Sequence, residues 1–493
     1  MSSSASQAAA NEAAVLQQLE RSLARYDTAE KWAARRDELR KEFLKGAGLW
    51  PLPARPPVTA IRHSYREHKG YSVENVALET LPGFYCTGNL YRPLGRKELG
   101  PAILCPHGHF QPLGRFREDQ QIRCAHLATM GATVFSYSMV GWQDSQQTTH
   151  DDPLVLALQT WNSLRAVDFV SGLERIDPTR IGVTGASGGG TQTFFLSLID
   201  DRVTASAPLV IVYPWTAPDG CKCEGGLPVM QTAETNAIEL AAATSPRPQL
   251  LISVGNDPTE RFPEVGFPFI QRMYEVAGAG DLVRNVHFTH EGHDFGPSKR
   301  REVYAFFAQH LELRPDPFYA AAADQPRVPG EDLSRIVIET PEQMEVFNIA
   351  HPLPAGSLQG SDAIAAAFER HLDELRERES SRNSVVHVAD APFAEYAFKD
   401  FQASADDEAL LFTPAGFEGI GEPRVASGAD VGRLKIVIRD GATGEPTPCR
   451  VNVVGPDGHY YEPAAHDLKP FSLTGVWPKS GWGNRPGKAP VRY

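Results

Sequence analysis

The sequence has 493 residues, of which 42% are hydrophobic, with 42 glycines and 39 prolines, a composition typical of a folded, loop-rich globular protein and not of a disordered or fibrous one. Its 48 Lys and Arg residues against 61 Asp and Glu residues give a formal net charge of −13. Because phosphate backbones and anionic lipids attract clustered basic side chains, we expect neither nucleic acid nor membrane as a partner.

The sequence carries no targeting signal that would place the protein outside the cytoplasm. No stretch reaches the ~18 uninterrupted apolar residues that a membrane helix needs. The N-terminus lacks the basic region of a signal peptide, and Glu12 interrupts its small-residue run. Six cysteines are too few for a disulfide framework. We therefore expect a cytoplasmic protein, or a secreted one if a signal peptide had been removed.

Residues 1–70 are predicted to form a helical segment that packs on the domain that follows. Apolar residues recur at helical spacing in two places: Val15, Leu19, Leu23 and Tyr26, and then Trp32, Leu39 and Phe43. Asp27 followed by Glu30 resembles a capping box at the start of the second helix, and Gly46 is its predicted end.

Residues 71–314 are predicted to form an α/β domain. It opens with a β-hairpin of Val73–Glu79 and Phe84–Tyr91, after which short apolar strands alternate with helical stretches. The strands are predicted at Ala102–Leu104, Thr133–Tyr137, Arg180–Thr184, Leu209–Val212, Leu250–Val254 and Asn285–Thr289. The main helices are predicted at Leu154–Leu173, Thr191–Ile199 and Arg301–Leu313. This alternation predicts parallel βαβ units and hence a doubly wound, mostly parallel sheet with helices on both faces.

The remaining third of the chain gives weaker patterns. Residues 315–432 are predicted to be a mixed linker or accessory region, with one amphipathic helix whose apolar face holds Ile364, Phe368, Leu372 and Leu375. Residues 433–493 begin with a clean alternation of apolar and polar residues, which predicts a small β-rich unit.

The segment 181–198, IGVTGASGGGTQTFFLSL, carries the clearest chemical signal. Gly185 to Gly189 fit the pattern G-x-S-x-G, with a predicted strand before it and a helix after it. This arrangement exposes the hydroxyl of Ser187 on a tight turn and places the N–H of Gly188 at a helix start, where it can stabilise an oxyanion. The alternative is a glycine-rich turn or anion-binding loop without a nucleophile.

A serine nucleophile needs a base and an orienting acid, which in this type of fold follow in the order acid, then histidine. Asp257 lies in the loop just after a predicted strand, and His293 lies in a glycine-flanked loop after the last one. The rival candidates are Glu260 and Glu264 for the acid and His287 and His290 for the base.

Two further motifs hold histidine and cysteine. In CPHGHF (105–110), Gly108 lets the chain approach the nucleophile, and the N–H of His109 is the predicted second oxyanion donor. Its H-x-H pattern could chelate a metal, but nothing nearby in the sequence completes a ligand set. Cys221 and Cys223 have no second Cys/His pair at zinc-site spacing, so we interpret them as part of a structural or pocket-lining loop. We predict neither a metal nor an organic cofactor.

Five segments together resemble a known superfamily: CPHGHF, the turn GWQDS (Gly141–Ser145), GASGGG, GNDPTERFPEVGFPF and EGHDFGPSKR. Over roughly residues 30–313 they are similar to α/β-hydrolases, in particular to bacterial acetyl xylan esterase-like and dienelactone-hydrolase-like esterases. The resemblance implies an esterase without a cofactor, in which Ser187 is the nucleophile, His293 the general base and Asp257 the orienting acid. It also implies acyl ester substrates, commonly acetylated sugars.

The sequence thus predicts a serine esterase that hydrolyses acetyl or other short acyl esters. Its expected partner is a small-molecule or carbohydrate ester substrate, and the sequence does not predict an oligomeric state. The predicted substrate-binding residues are Gly108, Phe110, Trp142, Tyr213, Trp215 and Glu264. Two alternatives remain: a peptidase or a lactone or C–C hydrolase with the same triad, or a non-catalytic carbohydrate-binding or scaffold protein.

The C-terminal tail has a resemblance of its own. GRLKIVIRDGATGEPTPCRVNVVGPDG (432–458) is similar to the opening of a carboxypeptidase-regulatory-like β-sandwich. Such a unit needs about seven strands, and only two or three are recognisable before Tyr493. We therefore expect the unit to be truncated.

Overall fold

The computed structural model describes residues 2–214, 221–224, 234–313, 331 and 333–384. Its contacts divide the chain into one compact unit, Met1–Arg376, and a second one, Glu377–Tyr493, of which only the end of a helix is described. The predicted β-rich unit at 433–493 lies outside the described residues, and so do residues 315–330, 332 and 385–432 of the predicted linker or accessory region 315–432. In the described part, no helix is both long and apolar enough to cross a membrane.

Nine strands form one sheet within the described residues. The strands are β1 Thr59–His68, β2 Tyr71–Leu81, β3 Phe84–Pro93, β4 Gly100–Leu104, β5 Thr133–Tyr137, β6 Ile176–Ala186, β7 Val203–Leu209, β8 Gln249–Val254 and β9 Val283–Phe288. The helices are α1 Ser2–Arg25, α2 Ala29–Gly46, α3 Glu118–Thr129, α4 Val155–Ser171, α5 Gly188–Ile199, α6 Ala237–Ala242, α7 Phe262–Val265, α8 Phe267–Val276, α9 Pro297–His310, α10 Pro341–Met344 and α11 Ser361–Ser384.

The strand order of the sheet is β1-β2-β3-β5-β4-β6-β7-β8-β9. Strands β1, β2, β3 and β5 pair antiparallel, whereas β5, β4 and β6 to β9 pair parallel. The predicted α/β fold with a mostly parallel sheet is therefore confirmed. From β4 the chain moves one way to β5 and then returns to the other side at β6, so β4 and β6 flank a topological switch point. In open α/β sheets the crevice beyond the carboxyl ends of such strands is the usual ligand site.

Two strand predictions differ from the structure. A strand was predicted at Leu209–Val212, but β7 ends at Leu209 and the chain turns away at Val210, whose φ is 49°. The true strand, VTASAPL, is weakly apolar because small residues pack tightly between β6 and β8, while the apolar run after it is buried in a loop. Strand β1 was missed because it is a polar edge strand with an irregularity between His63 and Arg66.

The N-terminal helices and α11 both join the main hydrophobic core. Trp32 of α2 is fully buried, and its indole N–H donates to Ser245 Oγ at 2.8 Å. Arg35 forms a buried ion pair with Glu239 of α6 at 2.9 Å. Helix α2 is capped by Thr28, which accepts a hydrogen bond from the Lys31 N–H, so the predicted cap at Asp27 was one residue early. The four apolar residues predicted for α11 are all buried: Ile364, Phe368, Leu372 and Leu375.

Candidate functional site

Ser187 lies on a strained turn between β6 and α5. Its φ is 56° and its ψ is −128°, a conformation that a non-glycine residue adopts only where the surroundings enforce it. The surroundings do so here, since the Ser187 N–H donates to Leu209 O at 3.0 Å. A Cβ on Gly185 would lie 2.5 Å from the backbone of Gly189, so the turn closes only with glycine at that position. This is the geometry that a G-x-S-x-G motif requires.

The loop after β4 lies directly against this turn. A Cβ on Gly108 would lie 2.3 Å from Ala186 O and 3.0 Å from the Cβ of Ser187. The loop is held by His107, whose Nδ1 donates to Gly108 O at 2.9 Å and whose Nε2 accepts the N–H of Met139 at 3.0 Å. Burial lowers the pKa of His107 to about 3, so its ring is neutral and structural.

Neither of the two predicted oxyanion donors has a hydrogen-bond partner among the described residues. The N–H of Gly188 is the first of α5 and has no partner within the helix, and its position also carries the positive end of the helix dipole. In the described part of the chain, no group accepts the N–H of His109.

Asp257 and His293 are brought together by the loops after β8 and β9. His293 Nδ1 lies 2.5 Å from Asp257 Oδ2, and the carboxylate is almost fully buried, with 2% of the side chain exposed. The other oxygen, Oδ1, accepts both the N–H and the Oγ1–H of Thr259, at 2.8 and 2.6 Å. Burial by itself would raise the pKa of Asp257, but these hydrogen bonds outweigh it and hold the pKa below its ordinary value.

The loop that carries His293 is anchored by a buried lysine. Lys299 of α9 is fully buried, and its ammonium donates to Glu291 at 2.8 Å and to Asp294 at 2.7 Å, on either side of the histidine. The His293 ring itself is 40% exposed and forms no hydrogen bond with Ser187 in this structure. Catalytic hydrogen bonds are often long without substrate and tighten when it binds.

The rival residues occupy different surroundings. Glu260 is exposed, and Glu264 is exposed on α7, where none of the described residues pairs with its carboxylate. His287 lies within β9 with its Nδ1 2.9 Å from Ser253 Oγ, and His290 is exposed in the following turn. Among these candidate acids and bases, the described structure joins Asp257 to His293, in the loops that follow β8 and β9.

The predicted substrate-binding residues differ in their surroundings. Phe110 lies beside the candidate base, with its ring centroid 6.0 Å from that of His293. Tyr213 is largely buried, and burial, with the charges of Glu224 and Asp257, raises its pKa to about 12. Trp142 is buried behind the loop and does not form an open wall. Trp215 lies outside the described residues.

One cluster was not anticipated from the sequence. His109 Nε2, His150 Nε2, Cys221 Sγ and Cys223 Sγ all lie within 4.8 Å of one another, and we call these four residues the His/Cys cluster. The sequence showed no ligand set near His109, because the other three residues of the cluster come from loops 41 and more than 100 residues further along the chain. His107, the other half of H-x-H, has its ring nitrogens engaged elsewhere.

Comparison with protein-family models gives no match, and neither does comparison with curated proteins. Among solved structures, methylesterase BT1017 is 37% identical, with 73% of this chain and 80% of that chain covered and a TM-score of 0.64. A glucuronoyl esterase from Solibacter usitatus is 16% identical, with 57% of this chain and 94% of that chain covered and a TM-score of 0.45. An acetyl xylan esterase from Paenibacillus sp. R4 is also 16% identical, with 58% and 96% covered and a TM-score of 0.39. The chain therefore belongs to the α/β-hydrolase superfamily, in the same esterase family as methylesterase BT1017.

Proposed function

We propose that this protein hydrolyses carboxylic esters through a Ser187–His293–Asp257 triad. The observation that carries the proposal is the 2.5 Å hydrogen bond between His293 and the buried carboxylate of Asp257, in a molecule that also holds Ser187 on a strained turn. A buried carboxylate that orients an exposed imidazole has no evident structural purpose, since a surface histidine contributes little to the core. The same pair is what a serine nucleophile needs for activation.

The proposed reaction begins when His293 Nε2 accepts the proton of Ser187 and the serine oxygen attacks the ester carbonyl. The carbonyl oxygen becomes an oxyanion, which the N–H groups of Gly188 and His109 stabilise by about 3–4 kcal/mol per donor. Asp257 fixes the His293 tautomer with its proton on Nδ1 and stabilises the imidazolium that forms. His293 then protonates the departing alcohol, and the acyl group remains on Ser187.

Deacylation uses the same groups in the reverse order. A water molecule replaces the alcohol, His293 takes its proton, and the hydroxide attacks the acyl-serine. The second oxyanion accepts hydrogen bonds from the same two N–H groups. The bond between the acyl carbon and Ser187 Oγ then breaks, and Oγ takes the proton from His293. Every step uses side chains and backbone groups of this chain alone.

For the substrate, we propose first a methyl ester of a carbohydrate acid. The similarity to a methylesterase supports this class, and so does Phe110, whose ring lies beside the His293 ring that must protonate the leaving alcohol. An aromatic ring at that side favours a small alcohol over a large one. The second class is an acetylated sugar, which the sequence pattern favours. In such an ester the small group is the acyl group, whereas in a methyl ester it is the alcohol.

Ser187→Ala, assayed against methyl esters of uronic acids and against acetylated sugars, tests both the reaction and the substrate. We expect hydrolysis by the wild-type protein and a loss of roughly 10³-fold or more in the variant, because the nucleophile is absent. Ser171→Ala on α4 is the matched control and should keep full activity.

A fluorophosphonate probe separates the enzyme from a non-catalytic binding protein. It should label the wild-type protein and the control but not Ser187→Ala. Equal ester hydrolysis by wild type and Ser187→Ala, or labelling of both, would contradict the triad. A folded wild-type protein that takes up no label would favour the binding function, and a preference for acetylated sugars would reverse the order of the two substrate classes.

A further inference from the structure

The His/Cys cluster brings together loops that follow three different strands. His109 follows β4, His150 follows β5, and Cys221 and Cys223 lie in the segment after β7. The two histidine Nε2 atoms are 3.0 Å apart. Cys221 Sγ is 3.2 Å from His150 Nε2, and Cys223 Sγ is 3.2 Å from His109 Nε2. Four donor atoms thus converge on one point.

The orientation of His150 directs a lone pair into the cluster. Its Nδ1 lies 2.7 Å from the carbonyl oxygen of Val140, which can only accept, so Nδ1 carries the proton and the neutral ring has its lone pair on Nε2. His109 Nδ1 faces the carboxylate of Glu224 at 3.7 Å, which is beyond hydrogen-bond distance. In the His109 tautomer that carries its proton on Nδ1, Nε2 offers a second lone pair to a cation bound by the cluster.

The spacing and the donor types both fit a tetrahedral metal ion. With Zn–N distances of about 2.0–2.1 Å and Zn–S distances of about 2.3 Å, adjacent ligand atoms of a tetrahedron lie about 3.3–3.8 Å apart. The three separations given above are within a few tenths of an ångström of these values, and all four atoms lie within 4.8 Å of one another. Two thiolates and two imidazoles are the ligand set that zinc prefers in structural sites.

We propose that His109, His150, Cys221 and Cys223 bind one zinc ion in a closed, structural site. The two thiols lose their protons to solvent on binding, so two thiolates balance the charge of the ion and the site is neutral. The hydrogen bond that His150 Nδ1 donates to the carbonyl oxygen of Val140 is the kind of outer contact that fixes ring orientation in known zinc sites, and the Glu224 carboxylate lies 3.7 Å from His109 Nδ1. All four positions belong to the protein, so no water is bound and the ion takes no part in ester hydrolysis.

The position of the site indicates what the ion would stabilise. The His109 ring packs against the start of α5, where a Cβ on Gly188 would lie 2.6 Å from its Cε1. Trp142 covers both histidines, with ring centroids 5.9 Å from His109 and 5.8 Å from His150. A bound ion would therefore hold the loop after β4 in place and, with it, the backbone N–H of His109, the proposed second oxyanion donor.

Metal analysis of the full-length protein tests the proposal without reference to esterase activity. The protein is purified without chelators, and its zinc content is measured by inductively coupled plasma mass spectrometry. We expect about one zinc ion per chain. After removal of zinc, Co²⁺ should restore a visible spectrum with the intense bands of a tetrahedral cobalt thiolate site, and readdition of zinc should raise the melting temperature.

Variants identify the ligands. Cys221→Ser/Cys223→Ser should bind no zinc and give no cobalt–thiolate bands, because serine is a poor ligand for a soft ion. Cys86→Ala is the matched control, since Cys86 is a buried free thiol in β3, and it should keep the wild-type zinc content. If the double variant does not fold, the spectrum of the cobalt-loaded wild-type protein still reports whether thiolates are bound.

Three results would overturn the proposal. The first is a reduced wild-type protein that takes up neither zinc nor cobalt. The second is a zinc content that the double variant leaves unchanged. The third is a Cys221–Cys223 disulfide that persists in the purified protein and, once reduced, is not replaced by metal. Each of these leaves the proposed triad untouched, so the two proposals fail independently.

Discussion

Replacing Asp257 with asparagine should abolish most of the catalysis while leaving the fold intact, and the structure specifies why. Oδ1 of Asp257 accepts two hydrogen bonds from Thr259, and Oδ2 accepts one from His293. An asparagine has one oxygen and one NH₂ group for these two sides. If the NH₂ group faced Thr259, two donors would lose their acceptor, at a cost of about 1–3 kcal/mol each.

The amide oxygen of the variant should therefore remain at Thr259, and the NH₂ group must face His293. A donor at that position can be satisfied only if His293 Nδ1 becomes an acceptor, which moves the ring proton to Nε2. A protonated Nε2 cannot take the proton of Ser187. Where a triad aspartate has been changed in this way, kcat falls about 10⁴-fold, which corresponds to about 5.4 kcal/mol at 1.36 kcal/mol per factor of ten.

The measurement is kcat for the best ester substrate, with circular dichroism to confirm that Asp257→Asn is folded. Glu260→Gln is the control, because it makes the same change in an exposed acid of the same loop and should retain full activity. The reasoning fails if Asp257→Asn loses less than about tenfold, or if Glu260→Gln loses as much as Asp257→Asn.

Three other changes test the site and its support. Gly188→Ala would place a Cβ 2.6 Å from His109 in a buried position, so we expect kcat to fall at least tenfold and the melting temperature to fall as well; unchanged kinetics would show that the oxyanion loop does not depend on this contact. Glu239→Gln removes the buried partner of Arg35, and urea unfolding should show a loss of about 3–5 kcal/mol, whereas a loss below 1 kcal/mol would mean that α2 does not depend on this ion pair. Because the pKa of Asp257 is lowered in the folded protein, its carboxylate contributes stability above its ordinary pKa of about 3.9, and this is lost as the pH falls through the lower folded value. The melting temperature of the wild-type protein should therefore exceed that of Asp257→Asn at pH 7, and the difference should shrink in acid. A difference that does not change with pH would mean that it arises from packing and not from the charge of Asp257.

The sheet could be predicted where local pattern and burial agree. Strand β5 was placed with its bounds correct, and β4, β6 and β8 were recognised from apolar runs that parallel strands bury on both faces. Strand β7 escaped this rule because its neighbours require small side chains, so the apolar run that follows was mistaken for the strand. A buried loop and a buried strand cannot be distinguished by hydrophobicity alone.

The nucleophile turn was predictable because its constraints are local. The positive φ of Ser187 and the close backbone approach at Gly185 both act within five residues, so they leave a readable motif. Asp257 and His293 were predictable for a different reason. Each follows a strand whose carboxyl end was already located, and the order of parallel strands brings such ends to one edge of the sheet.

The His/Cys cluster could be predicted neither from a local motif nor from the position of a single strand end. Its members come from loops after β4, β5 and β7, and β5 and β7 lie on opposite sides of the β4–β6 pair in the sheet. Only the strand order, which the sequence did not reveal, brings His150 and Cys221 within 3.2 Å of each other. The switch point that creates the crevice for Ser187 therefore also creates the cluster beside it. Gly188 contributes to both, since its N–H is a proposed oxyanion donor and its missing side chain leaves room for the His109 ring. Any residue except proline would supply that N–H, so it is the packing of the cluster against α5 that requires glycine at this position.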